Sequence, residues 1–358
     1  MSVKNLSKEL ALITIAFTLI SGLMASLAKA APVPRDLTLG RSESTSKLLG
    51  GVCYTTDTGR QALPCNPAFI SRETDPDFRV QFFAGNNISY LRDVGDLLSG
   101  DGNEETVDRL FSQSRPAEME ANIEGAYRQP MFGIAFSPYR VLYFTAIRNK
   151  ALPVVTLLAS REQTLRLQFG SYLGDDWSWG VQLRGVRREY IGQTFSLADA
   201  AVENGNEIFE TRSQSAFYVE PGLLKEWTEA AWRPQMTFAV TQLGVVDHKS
   251  DSFPASPALH IGGAVHPEVS LGRWEIGVNA DFHSDTKHWS DPFRLGSSYE
   301  LGVTRFSGSV GSSDHALGFQ VSYNDFYGGL TYTSRWIKNW FGSDEWVRTV
   351  FFEFGFDL

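Results

Sequence analysis

The stretch WEIGVNADF, Trp274 to Phe282, has an apolar side chain at every second position. The positions between them hold Glu275, Gly277, Asn279 and Asp281. Because the side chains of a β-strand point alternately to its two faces, this stretch predicts a strand with one apolar and one polar face.

The same alternation recurs along the chain, for example over residues 165–169, 177–183, 299–303 and 317–323. The polar faces are rich in glycine, serine and isolated charges, which is typical of a crowded barrel lumen rather than the wet side of a sandwich. Tryptophans lie near the predicted strand ends, as in the aromatic girdle of a membrane barrel: Trp177, Trp232, Trp274, Trp289, Trp336, Trp340 and Trp346. A soluble β-core capped by tryptophans is the alternative.

The pattern predicts an all-β fold, a transmembrane antiparallel up-and-down β-barrel of about 14 strands, within the range 12–16. The candidate strands are 78–86, 118–128, 131–137, 139–148, 152–159, 162–173, 177–188, 215–223, 232–243, 257–269, 272–284, 294–305, 314–323, 326–337 and 346–358. This makes fifteen, whereas single-chain bacterial barrels usually have an even number. We expect an error at 131–159, because Pro130, Pro138 and Pro153 lie close together there and proline interrupts a ladder. We also expect a miscounted strand between 285 and 313, because the short and long connections around it fall on the wrong sides of the barrel.

Residues 1–30 are predicted to be a secretory signal peptide, with Lys4 and Lys8 before an apolar core and cleavage near Ala30. An uncleaved membrane helix is the alternative. Cleavage leaves 29 basic and 40 acidic side chains, a formal charge of −11. Nucleic acid is therefore excluded as a partner, because its phosphates need a basic surface. The expected location is the outer membrane of a Gram-negative bacterium.

Two regions do not have the pattern of barrel wall. Residues 31–77 precede the barrel, 78–358, and are expected to form a plug-like or periplasmic segment in which Cys53 and Cys65 form a disulfide. Residues 87–117 are expected to be a helical insertion, with helices at YLRDVGDLL and at EETVDRLF. The acidic stretch 99–105 suits the solvated start of a helix better than a calcium loop, because further ligands are missing.

The stretch CYTTDTGRQALPCNPAFIS, Cys53 to Ser71, contains Asn66, Pro67 and Ala68. It resembles the Asn-Pro-Ala segment of outer-membrane barrels of the long-chain fatty-acid transporter and TraF-like superfamily. The resemblance implies a barrel of about fourteen strands whose lumen is partly occluded by the N-terminus, and a turn at these residues from plug to barrel. An ordinary Asn-Pro turn is the alternative.

Charged residues on the predicted inner face differ between the two halves of the chain. The first half has Arg148, Arg166 and Arg184, and the second half has Glu268, Glu275, Asp281 and Glu300. Opposed basic and acidic walls would orient solutes in a lumen. Unpatterned lumen charge is the alternative.

Catalytic groups are sparse. His260 and His266 lie on one predicted strand, and Glu275 and Asp281 lie on the next. Adjacent strands can bring a histidine close to a carboxylate. No nucleophile elbow or metal-binding spacing occurs in the sequence. We therefore predict no catalytic residue, metal ligand or cofactor, and no enzyme.

The C-terminal stretch TVFFEFGFDL, residues 349–358, alternates in the same way. It resembles the strand by which the outer-membrane assembly machinery recognises its clients, through Phe352, Phe354, Phe356 and Leu358. The lipid bilayer and that machinery are the expected partners. The predicted function is a channel or transporter for small solutes gated by the N-terminal segment. A scaffold for an envelope or secretion protein partner, and an outer-membrane enzyme, are the alternatives.

Overall fold

The computed structural model describes residues 37, 39–56, 61–100, 106, 110, 117–148, 154–174, 176–196, 210–247, 253, 255–283, 289–337 and 345–357. The predicted signal peptide, residues 1–30, lies outside them. Within these residues two α-helices have defined bounds, α1 at Ser44–Leu49 and α2 at Leu91–Ser99, with 3₁₀ turns at Gly50–Tyr54, Pro67–Arg72 and Ile88–Tyr90. The strands are β1 Asp77–Gly85, β2 Ala117–Gln129, β3 Phe132–Arg148, β4 Val154–Tyr172, β5 Trp177–Ser196, β6 Arg212–Glu226, β7 Gln235–Thr241, β8 Gly244–Val246, β9 Ala258–Val265, β10 Arg273–His283, β11 Phe293–Leu301, β12 Thr304–Gly311, β13 Asp314–Tyr323, β14 Phe326–Ile337 and β15 Glu345–Asp357.

The strands form one closed antiparallel sheet. Most strands pair with their neighbours along the chain, β7 pairs with β9, and β1 pairs with β15, where Val80 lies opposite Phe356. β7 and β8 both pair with β6 and are separated by Gln242, whose φ is 57°, and Leu243. Together they fill one position in the wall, so the predicted fourteen-strand barrel is confirmed. Closure leaves no edge whose backbone groups would lack partners in lipid.

The candidate strands were wrong in three places. Segments 131–137 and 139–148 form the single strand β3, because a bulge between Ser137 and Arg140 accommodates Pro138 without ending the pairing with β2 and β4. Segments 152–159 and 162–173 form the single strand β4. Segment 294–305 contains the tight turn between β11 and β12. Merging two pairs of candidate strands removes two, and dividing segment 294–305 adds one, so the fifteen candidates become fourteen strand positions in the wall.

The outer face of the barrel is apolar. On β15, Phe352 and Phe354 are 54% and 53% exposed, whereas Glu353 between them is 4% exposed and points into the lumen. Phe356 lies outward with them, and Leu358 is outside the described residues. An exposed surface of this kind is stable only in contact with lipid.

The two ends of the barrel differ. Two-residue turns join β2 to β3, β11 to β12 and β13 to β14 at the end where β1 begins and β15 finishes, here called the short-turn end. The opposite, long-loop end carries the connection 86–116 and most of the longer loops. Among the described residues, no helix is apolar and long enough to cross a membrane.

One side of the wall is taller than the other. β3, β4 and β5 have 17, 19 and 20 residues, whereas β12 has 8. At the long-loop end α2 packs Val94, Leu97 and Leu98 into a cluster with Met119 and Tyr143 on the outer face of β2 and β3. Of the two predicted helices in 87–117, α2 is therefore present and covers the wall from outside, and 103–111 lies outside the described residues apart from Thr106 and Leu110.

Candidate functional site

The described residues that precede β1 lie mainly inside the barrel. Residues 39–56 and 61–76, here called the lumen segment, follow the inner wall around the barrel. α1 lies against β12–β15, the first 3₁₀ turn against β7 and β9–β11, and the second against β3–β6. Leu48, Leu49 and Val52 are fully buried there. The described part of this segment therefore occupies the interior that the wall encloses.

The disulfide predicted between Cys53 and Cys65 is confirmed. Both cysteines are buried, and the bond ties the first 3₁₀ turn to the residues that precede the second. Arg41 donates hydrogen bonds to the carbonyl oxygens of Pro64 at 3.3 Å and Cys65 at 3.0 Å. The lumen segment is thus cross-linked to itself.

A ring of glycines gives the lumen segment its space. Nine inward-facing glycines on nine strands would each bring a Cβ atom to 3.0 Å or less from an atom of this segment: Gly133, Gly170, Gly180, Gly222, Gly262, Gly277, Gly296, Gly318 and Gly329. We call them the glycine belt. A Cβ on Gly180 would lie 2.2 Å from the Pro67 carbonyl oxygen, closer than any real contact. The glycine-rich polar faces of the sequence therefore mark where the wall meets its occupant.

Asn66, Pro67 and Ala68 begin the 3₁₀ turn that touches this belt. The Asn66 side chain accepts a hydrogen bond from the Ala68 N–H at 3.0 Å, which caps the turn. Its amide nitrogen donates to the carbonyl oxygens of Tyr54 at 3.2 Å and Leu223 at 3.3 Å. A Cβ on Gly222 would lie 2.0 Å from Asn66 Oδ1. The Asn-Pro-Ala stretch is thus a contact point between segment and wall, followed by β1 at Asp77.

A buried ion-pair cluster joins the segment to β2, β3 and β4. Glu120 pairs with Lys47 of the lumen segment at 2.6 Å and with Arg140 at 2.7 Å. Arg140 also pairs with Glu162 at 2.6 Å and donates to the Leu37 carbonyl oxygen at 2.7 Å. All four charged side chains are at most 3% exposed. Wall and segment therefore share one set of compensated charges.

The predicted opposition of basic and acidic walls is not what the structure shows. Arg166 pairs with Glu124 at 2.6 Å, and Arg184 pairs with Glu220 at 2.8 Å. The carboxylates come from strands of the same half of the chain, so the basic series is neutralised where it lies. The Arg148 side chain is outside the described residues.

The acidic series is also paired where it faces inward. Glu275 bonds to His266 at 3.1 Å, Glu300 pairs with Arg305 at 2.6 Å, and Asp281 faces His260 at 3.9 Å. Glu268 does not line the lumen, because β9 ends at Val265 and this residue is exposed in the following turn. Adjacent strands do bring each histidine to a carboxylate, as the alternation indicated.

Among the groups outside the strands, Glu43 and His266 have shifted pKa values. Burial raises the pKa of Glu43, helped by the nearby charge of Glu124 and opposed by Arg166 and Arg41. At His266 burial lowers the pKa, but the hydrogen bond to Glu275 and its negative charge outweigh burial, so the pKa is raised above 6.5. The lumen segment therefore holds a carboxyl group that resists ionisation, and the short-turn end holds a histidine that favours its charged form.

Sequence reasoning missed the partners of the arginines. The stretch 118–124 places Glu118, Glu120 and Glu124 at alternate positions of β2, all facing inward and all at most 2% exposed. The available signal was that these three acids are two and four residues apart, which places them on the same face of one strand. Among the described residues, no three histidines, cysteines or acids converge to hold a metal ion, and residues 101–105 of the acidic stretch lie outside them.

Comparisons with known proteins support the architecture. No protein-family model and no curated protein matches the chain. A mutant of the monoaromatic hydrocarbon channel TodX has a TM-score of 0.51 and 9% sequence identity, over 88% of this chain and 97% of that one. The toluene transporter TodX of Pseudomonas putida has a TM-score of 0.47, 9% identity and 89% and 97% coverage. The channel CymD has a TM-score of 0.45, 9% identity and the same coverage.

At such low identity the likeness to the TodX mutant concerns the fold. The strand count, the antiparallel closure and the apolar outer face are those of the structure described above. The chain is therefore a fourteen-strand transmembrane β-barrel, similar in fold to the monoaromatic hydrocarbon channel TodX.

Proposed function

We propose that the protein is a channel for small solutes in the outer membrane of a Gram-negative bacterium, gated by its lumen segment. The single observation that carries the proposal is that the lumen is filled by a separate piece of chain that adds no strand to the wall. A closed wall with a distinct occupant suits a gated passage. The description of the TodX mutant as a hydrocarbon channel supports the same function.

The contacts of the lumen segment support its release without unfolding of the barrel. Among the described residues, one backbone hydrogen bond joins it to the wall, from the Met131 N–H to the Ile70 carbonyl oxygen at 3.2 Å. The other polar contacts involve side chains, such as Thr55 with Asn279 and Ser309 with the Leu48 carbonyl oxygen. The sheet hydrogen bonds that close the wall do not depend on them.

The proposed orientation places the short-turn end in the periplasm, because membrane barrels have short periplasmic turns and longer extracellular loops. Export by a signal peptide cleaved near Ala30 is part of the proposal. We assign no catalysis to the protein, since the pairs of histidine and carboxylate suit a structural role and the sequence contains no nucleophile elbow beside them.

Substitution in the glycine belt tests gating. Gly180→Val and Gly222→Val each place a side chain where Pro67 or Asn66 now lies, and the three atoms nearest to either added Cβ all belong to the lumen segment. We expect both variants to raise conductance at least several-fold in planar-bilayer recordings, because the lumen segment is displaced. Gly185→Val, on the same strand as Gly180, is the matched control, since a Cβ there meets nothing within 4 Å.

All three variants must first migrate faster unboiled than boiled on a detergent gel, which shows a closed barrel. Folded Gly180→Val and Gly222→Val barrels that stay as silent as Gly185→Val would contradict gating. A stoichiometric envelope protein recovered with such silent barrels would favour the scaffold.

A further inference from the structure

A cavity of about 350 Å³ opens at the short-turn end, where the lumen segment meets three hairpin turns. Arg72 ends the segment's second 3₁₀ turn, Arg233 lies between β6 and β7, and His266 and Arg273 flank the turn between β9 and β10. Glu226 at the end of β6 and Tyr172 at the end of β4 also line it. We call this cavity the vestibule.

The vestibule has an excess of positive charge. Arg72 and Arg233 both bond to the one carboxylate of Glu226, the second at 2.9 Å. Asp176, the other acid of the lining, is bound by Lys225 at 2.8 Å. Among the described residues, no carboxylate pairs with Arg273, because its cross-strand neighbour Glu300 bonds to Arg305 instead. In a chain of formal charge −9, one mouth of the barrel therefore has a local excess of arginine.

Such an arrangement favours one chemical class of ligand. A guanidinium group binds a carboxylate through two parallel hydrogen bonds, and Arg233 is 59% exposed and able to turn toward a ligand. Tyr172 offers an aromatic face for the apolar body of such a ligand. We propose that the vestibule binds a small organic carboxylate through Arg233 and Arg273. This assignment rests on the proposed channel function and names the solute class that the short-turn mouth accepts.

Calorimetric titration of the full-length protein in a neutral detergent tests the assignment. The probe is benzoate, and benzamide is its uncharged counterpart of equal size. We expect saturable one-to-one binding of benzoate and at least a tenfold weaker association with benzamide. Arg233→Gln combined with Arg273→Gln should weaken benzoate binding at least tenfold. Arg92→Gln, which alters an 89% exposed arginine on α2 at the opposite end, should leave it unchanged.

Equal binding of benzoate and benzamide, or benzoate binding by the folded double variant as tight as by wild type, would overturn the proposal. If the double variant does not fold, Arg273→Gln alone serves, because Arg273 loses no partner within the described residues. A lipid phosphate could use the same arginines. If benzoate binding is lost in nanodiscs of phosphatidylglycerol but kept in phosphatidylcholine, the site belongs to a headgroup and the solute assignment is wrong. The conductance of Gly180→Val is measured without benzoate, so channel function and vestibule specificity can fail separately.

Discussion

Glu120 illustrates how single residues hold this molecule together. Its carboxylate accepts charge-assisted hydrogen bonds from Arg140 of the wall and also pairs with Lys47 of the lumen segment, with no exposure to solvent. A buried ion pair gains little over an apolar pair, but removing one partner leaves a buried charge without compensation. The residue therefore matters more through the cost of its loss than through the strength of its bonds.

Glu120→Gln should lower the free energy of unfolding by about 3–5 kcal/mol, since Lys47 and Arg140 stay buried without their shared counter-charge. Urea unfolding followed by tryptophan fluorescence measures the change. Glu189→Gln is the matched control, because the Arg161–Glu189 pair is 42% and 37% exposed and should contribute less than about 1 kcal/mol. Equal losses in the two variants would contradict the role of the buried cluster.

His266 should titrate above pH 6.5 in the folded protein, because Glu275 stabilises its charged form against burial and against the charge of Arg233. Since the folded pKa is raised, its contribution to stability is complete below about pH 6.5 and is lost as the pH rises through the folded pKa. NMR titration of the labelled imidazole measures this. Glu275→Gln should lower the pKa, whereas Glu268→Gln, in the exposed turn, should not. A wild-type pKa at or below 6.5 would disprove the interpretation.

For single residues, the sequence predicts which face of a strand a side chain is on, but not which residue it pairs with. Period-two alternation put Arg166, Arg184 and Glu275 on the predicted inner face. It could not show that Glu124 and Glu220 neutralise the arginines, because strand register decides which inward residues meet across the sheet. Nor could it show that the lumen segment supplies a lysine to the wall.

Among the strands, prediction failed where a local signal and the long-range pairing disagreed. Pro138 suggested a break, but a bulge absorbs the proline and β3 keeps pairing on both sides. The turn between β11 and β12 has only Gly302 and Val303, and because alternation continues through it, the pattern predicts one strand instead of two. Gly302 has a φ of 59°, which favours glycine and marks the turn. Pro138 thus suggested a strand end that does not exist, and Gly302 did not reveal a strand end that does.

β15 closes the sheet and should be essential for insertion. Removing residues 345–358 would leave the facing edges of β1 and β14 without backbone partners, at several kcal/mol for each unpaired group in lipid. We expect the truncated chain to be absent from the outer-membrane fraction and to migrate identically boiled and unboiled. The intact chain is the control. A heat-sensitive fast band from the truncated chain would mean that β1 and β14 can close without it.

The whole molecule consists of a wall stabilised mainly by sheet hydrogen bonds and lipid contact, and an interior stabilised by side chains. Composition and alternation predicted the wall closely, since the bilayer imposes one period on every strand. The interior was predicted only in outline, as a plug-like or periplasmic segment at 31–77 with a disulfide and as a resemblance at Asn66, Pro67 and Ala68, because an irregular segment has no period of its own. The glycines of the glycine belt are visible in the sequence, but only the structure shows that they make room for the lumen segment.

The position of the lumen segment also fixes an order of events in biogenesis. It is synthesised before the first strand, yet it is enclosed only when the last strand pairs with the first, as Arg79 does with Asp357 at 2.6 Å. The residues that fill the barrel therefore stay exposed to solvent until the other strands have been made and paired. The disulfide between Cys53 and Cys65 closes a loop of neighbouring residues and needs no barrel around it. An oxidised, pre-folded N-terminus would present a smaller object for the wall to close around, so the proposed export would make the yield of closed barrels depend on the redox state of the periplasm.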